Sequence, residues 1–505
     1  MTRVCVSVCV PRIEEMQHAV TLASDHADII ELRLDCLDTL DGVNRFLSEA
    51  TPARPLILTL RSDAQGGKSP LDFESRRKFW ARLGTIPGDW FIDLEPDLVQ
   101  HLASSNSEGV PVDWTRVICS FHDFKGVPAD LDRIYEKMAA TPAGIIKIAV
   151  HANDATDCIP VFKLLARARA EDREMIAIAM GRAGVATRVL GPSRESFLTY
   201  ASPQADNATA PGQTTIDELR NVYRVDRINP QTKVFGIIGS AISHSLSPQL
   251  HNAALAEKNL NAVFVPFEVT NATRFIHGMV HPASREIDLN LRGLAVTIPH
   301  KLAVMSSLDW LDQASKDIGA VNTVVVRDDQ LLGYNTDAIG FILPLTNWAG
   351  SMNGAHCAVL GAGGGARAAL WALQKEGADV VLFARNEERA AAVSKDFGVT
   401  CRGLGDADFA GFDLVVNATP LGMAGALQDS SPATAAQLRG VRFAYDLVYN
   451  PAETRFLGEA RNAGCKVLGG IEMLVGQAVA QFKLWTGVDP DEAAMRATVQ
   501  SALPG

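Results

Sequence analysis

No segment of this 505-residue chain is long and free enough of charge to span a bilayer, no run of Lys or Arg is interleaved with aromatics, and no CxxC pair occurs. Each absence excludes a class. A helical membrane protein is excluded by the first. With 58 acidic against 47 basic residues, a net charge of −11, an extended surface for nucleic acid or anionic lipid is excluded as well, although local pockets can still take small anions. The eight cysteines, Cys5, Cys9, Cys36, Cys119, Cys158, Cys357, Cys401 and Cys465, lie mostly in apolar stretches without metal-ligand spacing, so buried thiols in a reducing compartment are expected. Cys5 and Cys9 share one strand pattern and read as core packing, and no metal is expected. Met1 leads almost at once into VCVSVCV with no basic or apolar leader, so the expected location is cytoplasmic.

What is present is apolar mass: 47% of the residues are hydrophobic, enough for two or three cores. Between residues 1 and 205, eight short apolar runs recur: VCVSVCV from Val4, DIIELRL from Asp28, PLILTLR from Pro55, WFIDLE from Trp90, RVICSFH from Arg116, GIIKIAV from Gly144, EMIAIAM from Glu174 and FLTYAS from Phe197. Amphipathic helix-length segments such as LDRIYEKMAA and IPVFKLLARARA separate most of them. Strand and helix alternating eight times predicts a (β/α)8 barrel, whose site lies at the C-terminal strand ends. Charge gathers there: Glu31, Arg33 and Asp35 share a face of strand two, Arg61 ends strand three, Asp93 and Glu95 lie on four, and His122 on five. Singly, Arg33 or Asp35 reads as a charge pair or a solvated strand end. Lys147, flanked by Ile145, Ile146, Ile148 and Val150, must be either paired deep in the barrel or desolvated with a lowered pKa, the state that Schiff-base chemistry needs.

The set ELRLD, LRSDAQGG, SFHDF, KIAV and APGQ resembles type I 3-dehydroquinate dehydratase over residues 1 to about 218. The resemblance implies that Lys147 forms an imine with the substrate ketone and that His122 moves the adjacent proton and assists loss of water. It implies that Glu31, Arg33, Arg61, Arg188, Thr209 and Gln213 hold hydroxyls and carboxylate. Two positions depart from the family: Gln65 stands for a glutamate that orients the histidine, and Thr209 for a serine. Gln65 is expected to reach a ring nitrogen without supplying its charge.

A second start follows at TKVFGIIGSAISHSLSPQLHN, where an apolar strand ends in Gly239 and Ser243, Ser245 and Ser247 precede a helix. Strands and helices alternate again through GLAVTIPHK, GAVNTVV and GYNTDAIG. Then CAVLGAGGGARAALWAL places Gly361, Gly363 and Ala366 in GxGxxA spacing between a strand and a helix, a dinucleotide fingerprint. The next strand, VVLF, ends in Arg385 and Asn386 rather than in an acid, which favours NADP over NAD. These motifs, with NATPLGM, DLVYNP and GIEMLVGQA, resemble shikimate dehydrogenase across residues 233–505.

The second resemblance implies proton transfer by Lys301 and Asp337, and substrate contacts by Ser245, Ser247, Thr297, Asn322, Asp337 and Gln477, with Tyr449 bordering substrate and nicotinamide. It places the cofactor on Gly361, Ala362, Gly363, Gly364, Gly365, Ala366, Arg385, Asn386, Thr419 and Gly470. His244 and His300 take supporting roles, and Ala295 replaces an asparagine. The expected architecture is an N-terminal (β/α)8 barrel over 1–228 fused to a two-lobed α/β dehydrogenase over 233–505, with a substrate lobe of 233–340 and 471–505 and a Rossmann NADP-binding lobe of 341–470. The fused order resembles the bifunctional enzymes of the shikimate pathway, with 3-dehydroquinate and 3-dehydroshikimate or shikimate as small-molecule partners and neither nucleic acid nor membrane. Two alternatives stay open: a second half that acts as a quinate or quinate/shikimate dehydrogenase, and a barrel that is a weakly active or inactive ligand-binding module.

Overall fold

The computed structural model describes residues 3–49, 52–83, 89–104, 113–204, 212–240, 242–405 and 407–503, so Thr209 lies outside the described residues. The chain divides into two compact units, Met1–Val234 with Asn261–Met279 and Arg285–Asn290, and Phe235–Leu260 with Val280–Ser284 and Leu291–Gly505. Among the described residues no helix is long and apolar enough to cross a membrane.

All eight expected barrel strands form: β1 (Val4–Val8), β2 (Ile29–Arg33), β3 (Leu56–Thr59), β4 (Phe91–Leu94), β5 (Val117–Asp123), β6 (Ile145–His151), β7 (Glu174–Met180) and β8 (Thr199–Ala201). Their runs are apolar on both faces because a parallel barrel buries both, against helices outside and side chains inside. The strands pair in the order β7-β6-β5-β4-β3-β2-β1-β8, and a single parallel bridge from Met175 to Ser196 closes the ring. The expected amphipathic segments are helices at Leu131–Ala139 and Cys158–Ala170.

Adjacent parallel strands send their C-terminal loops out side by side, and this corrects the cysteine reading. Cys9 lies past the end of β1 and Cys36 just past β2, with Cα atoms 5.4 Å apart, and the two form a disulfide. Neither is therefore the free thiol expected. The other six cysteines are outside any disulfide, five of them buried and Cys401 partly exposed.

Beyond the barrel come two six-stranded sheets. One contains β9 (Lys233–Gly239), β10 (Ala262–Glu268), β11 (Leu291–Val296), β12 (Trp310–Leu311), β13 (Thr323–Arg327) and β14 (Gln330–Tyr334), in the order β10-β9-β11-β13-β14-β12. The other contains β15 (His356–Leu360), β16 (Asp379–Ala384), β17 (Thr400–Gly403), β18 (Leu414–Asn417), β19 (Phe443–Asp446) and β20 (Lys466–Leu468). Its order is β17-β16-β15-β18-β19-β20, all parallel, with the reversal between β15 and β18 that marks a doubly wound sheet.

Candidate active sites

Period-two alternation stacks the inward side chains of the barrel in levels. Cys5, Ile29, Ile57, Ile118, Ile145 and Ile176 make an apolar floor. Two residues on come Ser7, Glu31, Thr59, Ser120 and Lys147, joined by Asp93 and Tyr200, all of them buried. Two further on, Arg33, Arg61 and His122 reach the mouth.

A buried polar level must satisfy itself, and this one does so as a network. Lys147 Nζ donates to Asp93 Oδ2 at 3.0 Å and to Tyr200 Oη at 2.9 Å, with Glu31 Oε1 3.6 Å away. Asp93 Oδ1 accepts from Arg61 at 2.8 Å and from Ser120 Oγ at 2.5 Å, while Ser7 and Thr59 donate to Glu31 at 2.6 and 2.9 Å. Of the two states open to this lysine, the structure takes the paired one. Burial alone would raise the Asp93 carboxyl, but Arg61 and Lys147 outweigh it and hold the group at about 2.

Over the network opens a cavity at the mouth of the barrel. Glu31, Arg33, Arg61, His122, Lys147, Arg188 and Gln213, every described residue expected at the first site, line it. Burial, reinforced by Arg61, Lys147 and Arg33, pushes the His122 imidazole well below the usual histidine range, and its Nδ1 is buried without a hydrogen-bond partner among the described residues. The ring is thus held neutral. Arg188 is wholly buried, and its Nε and one Nη have no partner among the described residues. Burial lowers its guanidinium to about 10. A buried cation with unmet donors, facing a cavity, is complementary to an anionic ligand.

Arg33 does form the expected charge pair, donating to Asp35 at 2.9 and 2.7 Å, yet it also faces the cavity. Gln65 departs from expectation. Its Oε1 accepts from the backbone N–H of His122 at 3.0 Å, so it braces the main chain of β5 rather than the ring. Ser7 and Tyr200 line the cavity as well and were not singled out in the sequence. The signal was available for both: Ser7 is two residues from inward Cys5, and Tyr200 lies in an inward-alternating run.

At the second site, Asn322 organises the centre. Its Nδ2 donates to Asp337 Oδ1 at 2.8 Å and to Thr336 Oγ1 at 2.9 Å, and its Oδ1 accepts from the Thr336 N–H at 2.7 Å. Asp337 Oδ2 is ion-paired with Lys301. Gln481, missed in the sequence, donates to the Asn322 carbonyl at 3.2 Å. Ser247 begins the helix Ser247–Glu257, its N–H donating to Ser245 Oγ at 3.3 Å, and Ser245 in turn hydrogen-bonds the phenol of Tyr449. Thr297 packs against Gly239, where an added Cβ would stand 2.6 Å from its methyl. Gln477 donates its amide to Leu474 O at 2.8 Å, and its backbone packs on Gly340.

Gly361 ends β15 at φ +114°, beyond the reach of an ordinary L residue, and its position is crowded by Ala418 and Thr419. Gly363 caps the helix Gly364–Lys375, and a Cβ on Gly363 would project into open space. A Cβ on Gly364 would come within 3.0 Å of Lys301 Cδ, so the lysine stem lies across this turn. Helix-terminal amides in a turn of glycines, with open space over Gly363, are the cradle a pyrophosphate takes. Arg385 and Asn386 are exposed just past β16, whose Phe383 carbonyl accepts from Gly361 N–H at 2.7 Å. Thr419 caps back onto Asn417 at 2.7 Å, and Gly470 packs on Val448. Asn417 and Thr454 both donate to Asp446, at 2.9 and 2.5 Å, and burial pushes that carboxyl up to about 7 despite them.

The model of type I 3-dehydroquinase matches residues 4–230, that of the shikimate dehydrogenase substrate binding domain 237–324, and that of the shikimate 5'-dehydrogenase C-terminal domain 470–500. The class is therefore a fused lyase and oxidoreductase. Two relatives cover nearly the whole length. A bifunctional 3-dehydroquinate dehydratase/shikimate dehydrogenase of Arabidopsis thaliana is 32% identical over 96% of this chain and 82% of its own, and the shikimate biosynthesis protein AroDE of Chlamydia pneumoniae is 30% identical over 95% and 94%. A solved shikimate dehydrogenase in complex with NADP+ is 37% identical, with a TM-score of 0.51, over 55% of this chain and 98% of that one. The chain belongs to the family of bifunctional 3-dehydroquinate dehydratase/shikimate dehydrogenases, multifunctional enzymes of the shikimate pathway.

Proposed function

We propose that residues 1–228 dehydrate 3-dehydroquinate to 3-dehydroshikimate through an imine on Lys147, and that residues 233–505 reduce this product to shikimate with NADPH. The observation that carries the first step is the cavity in which a buried lysine, a neutral histidine and an unpaired buried arginine meet. Arg188 takes the substrate carboxylate, with Gln213 beside it. Lys147 gives up its ion pairs and bonds the ketone carbon. The resulting imine is an electron sink, so neutral His122 takes the neighbouring proton, returns it to the departing hydroxyl, and water then frees the lysine. Incubation with 3-dehydroquinate and NADPH tests both steps at once, enone absorbance rising first and cofactor oxidation following. A chain that oxidises NADPH only when given 3-dehydroshikimate would refute the first.

A histidine pKa held low keeps the base unprotonated to lower pH. The acid limb of dehydratase kcat/KM is therefore expected below pH 6.5, the ordinary histidine value. Gln65→Glu adds a negative charge beside the His122 backbone and should move that limb to higher pH; a pH profile that does not move would show that the charge at 65 does not reach the ring.

In the second half, Ser245, Ser247, Thr297, Asn322, Tyr449 and Gln477 hold the substrate, and Lys301 with Asp337 keep a proton at the ketone oxygen as it becomes a hydroxyl. The turn Gly361–Ala366 with Thr419 and Gly470 holds NADP, and Arg385 and Asn386 its 2′-phosphate. NADPH, when bound, supplies the hydride. Support for this fit comes from the open glycine turn and the cation, with no acid, at the end of β16. A charge-assisted contact to phosphate contributes about 1.5–3 kcal/mol. Arg385→Ala is thus expected to raise KM for NADPH on the order of 10- to 100-fold and leave that for NADH nearly unchanged. Equal changes for both cofactors would remove Arg385 from the phosphate site. A cytoplasmic location is part of this proposal, and fractionation of the source cells would test it.

A further inference from the structure

We propose that Tyr200 is a further catalytic residue of the barrel, relaying protons from Lys147 to the substrate oxygen while the imine forms. The inference rests on the imine reading of Lys147 and adds to it the route by which protons move.

The stoichiometry sets the problem. An ammonium and a ketone give a protonated imine and one water, so no proton enters or leaves overall, but two of the three on nitrogen must finish on oxygen. A group is needed that accepts from Nζ and donates to the oxygen. Among the described residues three oxygens lie within hydrogen-bond or ion-pair distance of Nζ: Tyr200 Oη at 2.9 Å, Asp93 Oδ2 at 3.0 Å and Glu31 Oε1 at 3.6 Å. Arg61 and Lys147 hold the Asp93 carboxyl at about 2 against the pull of burial, and an acid so strong gives a poor resting place for a proton. Glu31 is the farthest, and its two oxygens already accept from Ser7 and Thr59. Tyr200 remains.

Its hydroxyl has both faculties at once, a lone pair toward Nζ and an O–H of its own. Burial first, then Glu31, Cys5 and Asp93, keep the phenol well above its usual value, so it stays neutral and passes protons by exchange rather than by ionising. The side chain is 5% exposed, lines the cavity, and carries Nζ 4.3 Å from its ring centroid, which fixes the hydroxyl beside the amine.

The steps balance. In the first, Tyr200 takes one proton from the ammonium as it gives its own to the ketone oxygen, the lone pair so freed on Nζ bonds the ketone carbon, and the C=O π pair moves to oxygen to form the new O–H bond, the nitrogen keeping two protons and its positive charge. This gives the carbinolamine. In the second, Tyr200 passes another proton from nitrogen to the carbinolamine hydroxyl, which leaves as water while the nitrogen lone pair closes the C=N bond. Tyr200 ends as it began.

Tyr200→Phe in the full-length chain keeps the ring and its packing and deletes only the hydroxyl. Rapid quenching with borohydride after mixing with 3-dehydroquinate, read by intact mass, reports imine formation directly. The adduct is expected to form on the order of 10²–10⁴ more slowly in the variant, the range of a positioned proton-transfer group, with KM little changed. In the unaltered chain, adduct formation should be slower in D2O. A Tyr200→Phe chain that forms adduct at the unaltered rate, or an unaltered chain with no solvent isotope effect on this step, would overturn the relay while leaving the imine standing. No adduct in the unaltered chain would overturn the imine and the relay together.

Discussion

Lys147→Ala is expected to abolish dehydratase turnover, by about 10⁶, the scale on which loss of a covalent nucleophile acts. Borohydride with 3-dehydroquinate should no longer add mass to the chain, and reduction of 3-dehydroshikimate should continue. The network explains why the loss is not restored by a neighbour: Asp93 and Glu31 are carboxylates, and the nearest other cations, Arg61 and Arg33, are guanidiniums committed to Asp93 and Asp35. The substitution also leaves Asp93 with Arg61 as its one remaining ion-pair partner among the described residues and opens space in the polar level. A loss of stability therefore accompanies the loss of chemistry, and the dehydrogenase rate measured on the same sample separates the two. Residual dehydratase activity within 10-fold of the parent would remove Lys147 from the chemical step.

Lys301 has the second large effect, and its geometry calls for two substitutions. The ammonium is paired with Asp337, while the stem lies across Gly364 at the cofactor turn. Lys301→Met keeps the stem and deletes the charge. It is expected to lower kcat for 3-dehydroshikimate reduction by 10²–10⁴ while KM for NADPH stays within a few-fold. Lys301→Ala removes both parts and should add a rise in KM for NADPH to the same fall in kcat. If Lys301→Met leaves kcat intact and raises only KM, the lysine serves the cofactor and the proton is left to Asp337.

The features that sequence made legible are those set by local period and chemical contrast. Eight β-branched runs separated by helix-length spacers determine a barrel whatever the details of the loops, and a lysine within Ile145–Ile148 stands out because apolar neighbours rarely tolerate one. The glycine turn after β15 is equally local. Features that depend on which strands are neighbours were not legible. The Cys9–Cys36 bond follows from β1 and β2 lying side by side, which places two loops together across 27 residues. The direction in which Gln65 points is a rotamer, chosen by the position of β5, so the right residue was paired with the wrong part of His122. Tyr200 was passed over because a tyrosine in a strand is ordinary; only the strand order brings it to Lys147. Asp446 and Asn417 likewise sit in different motifs and meet only where β18 and β19 pair.

The lysine stem lying across Gly364 restricts how this protein can drift and how it can be redesigned. A methyl group at 364 would meet Lys301 Cδ at 3.0 Å, so a side chain there requires the lysine stem, 63 positions away in the chain, to give by a few tenths of an ångström. Attempts to exchange one nicotinamide cofactor for another by rewriting the glycine turn would disturb proton delivery as a side effect. Arg385 and Asn386 are exposed past the end of β16, and on the proposed assignment of the 2′-phosphate to them, library diversity placed there is expected to alter cofactor choice.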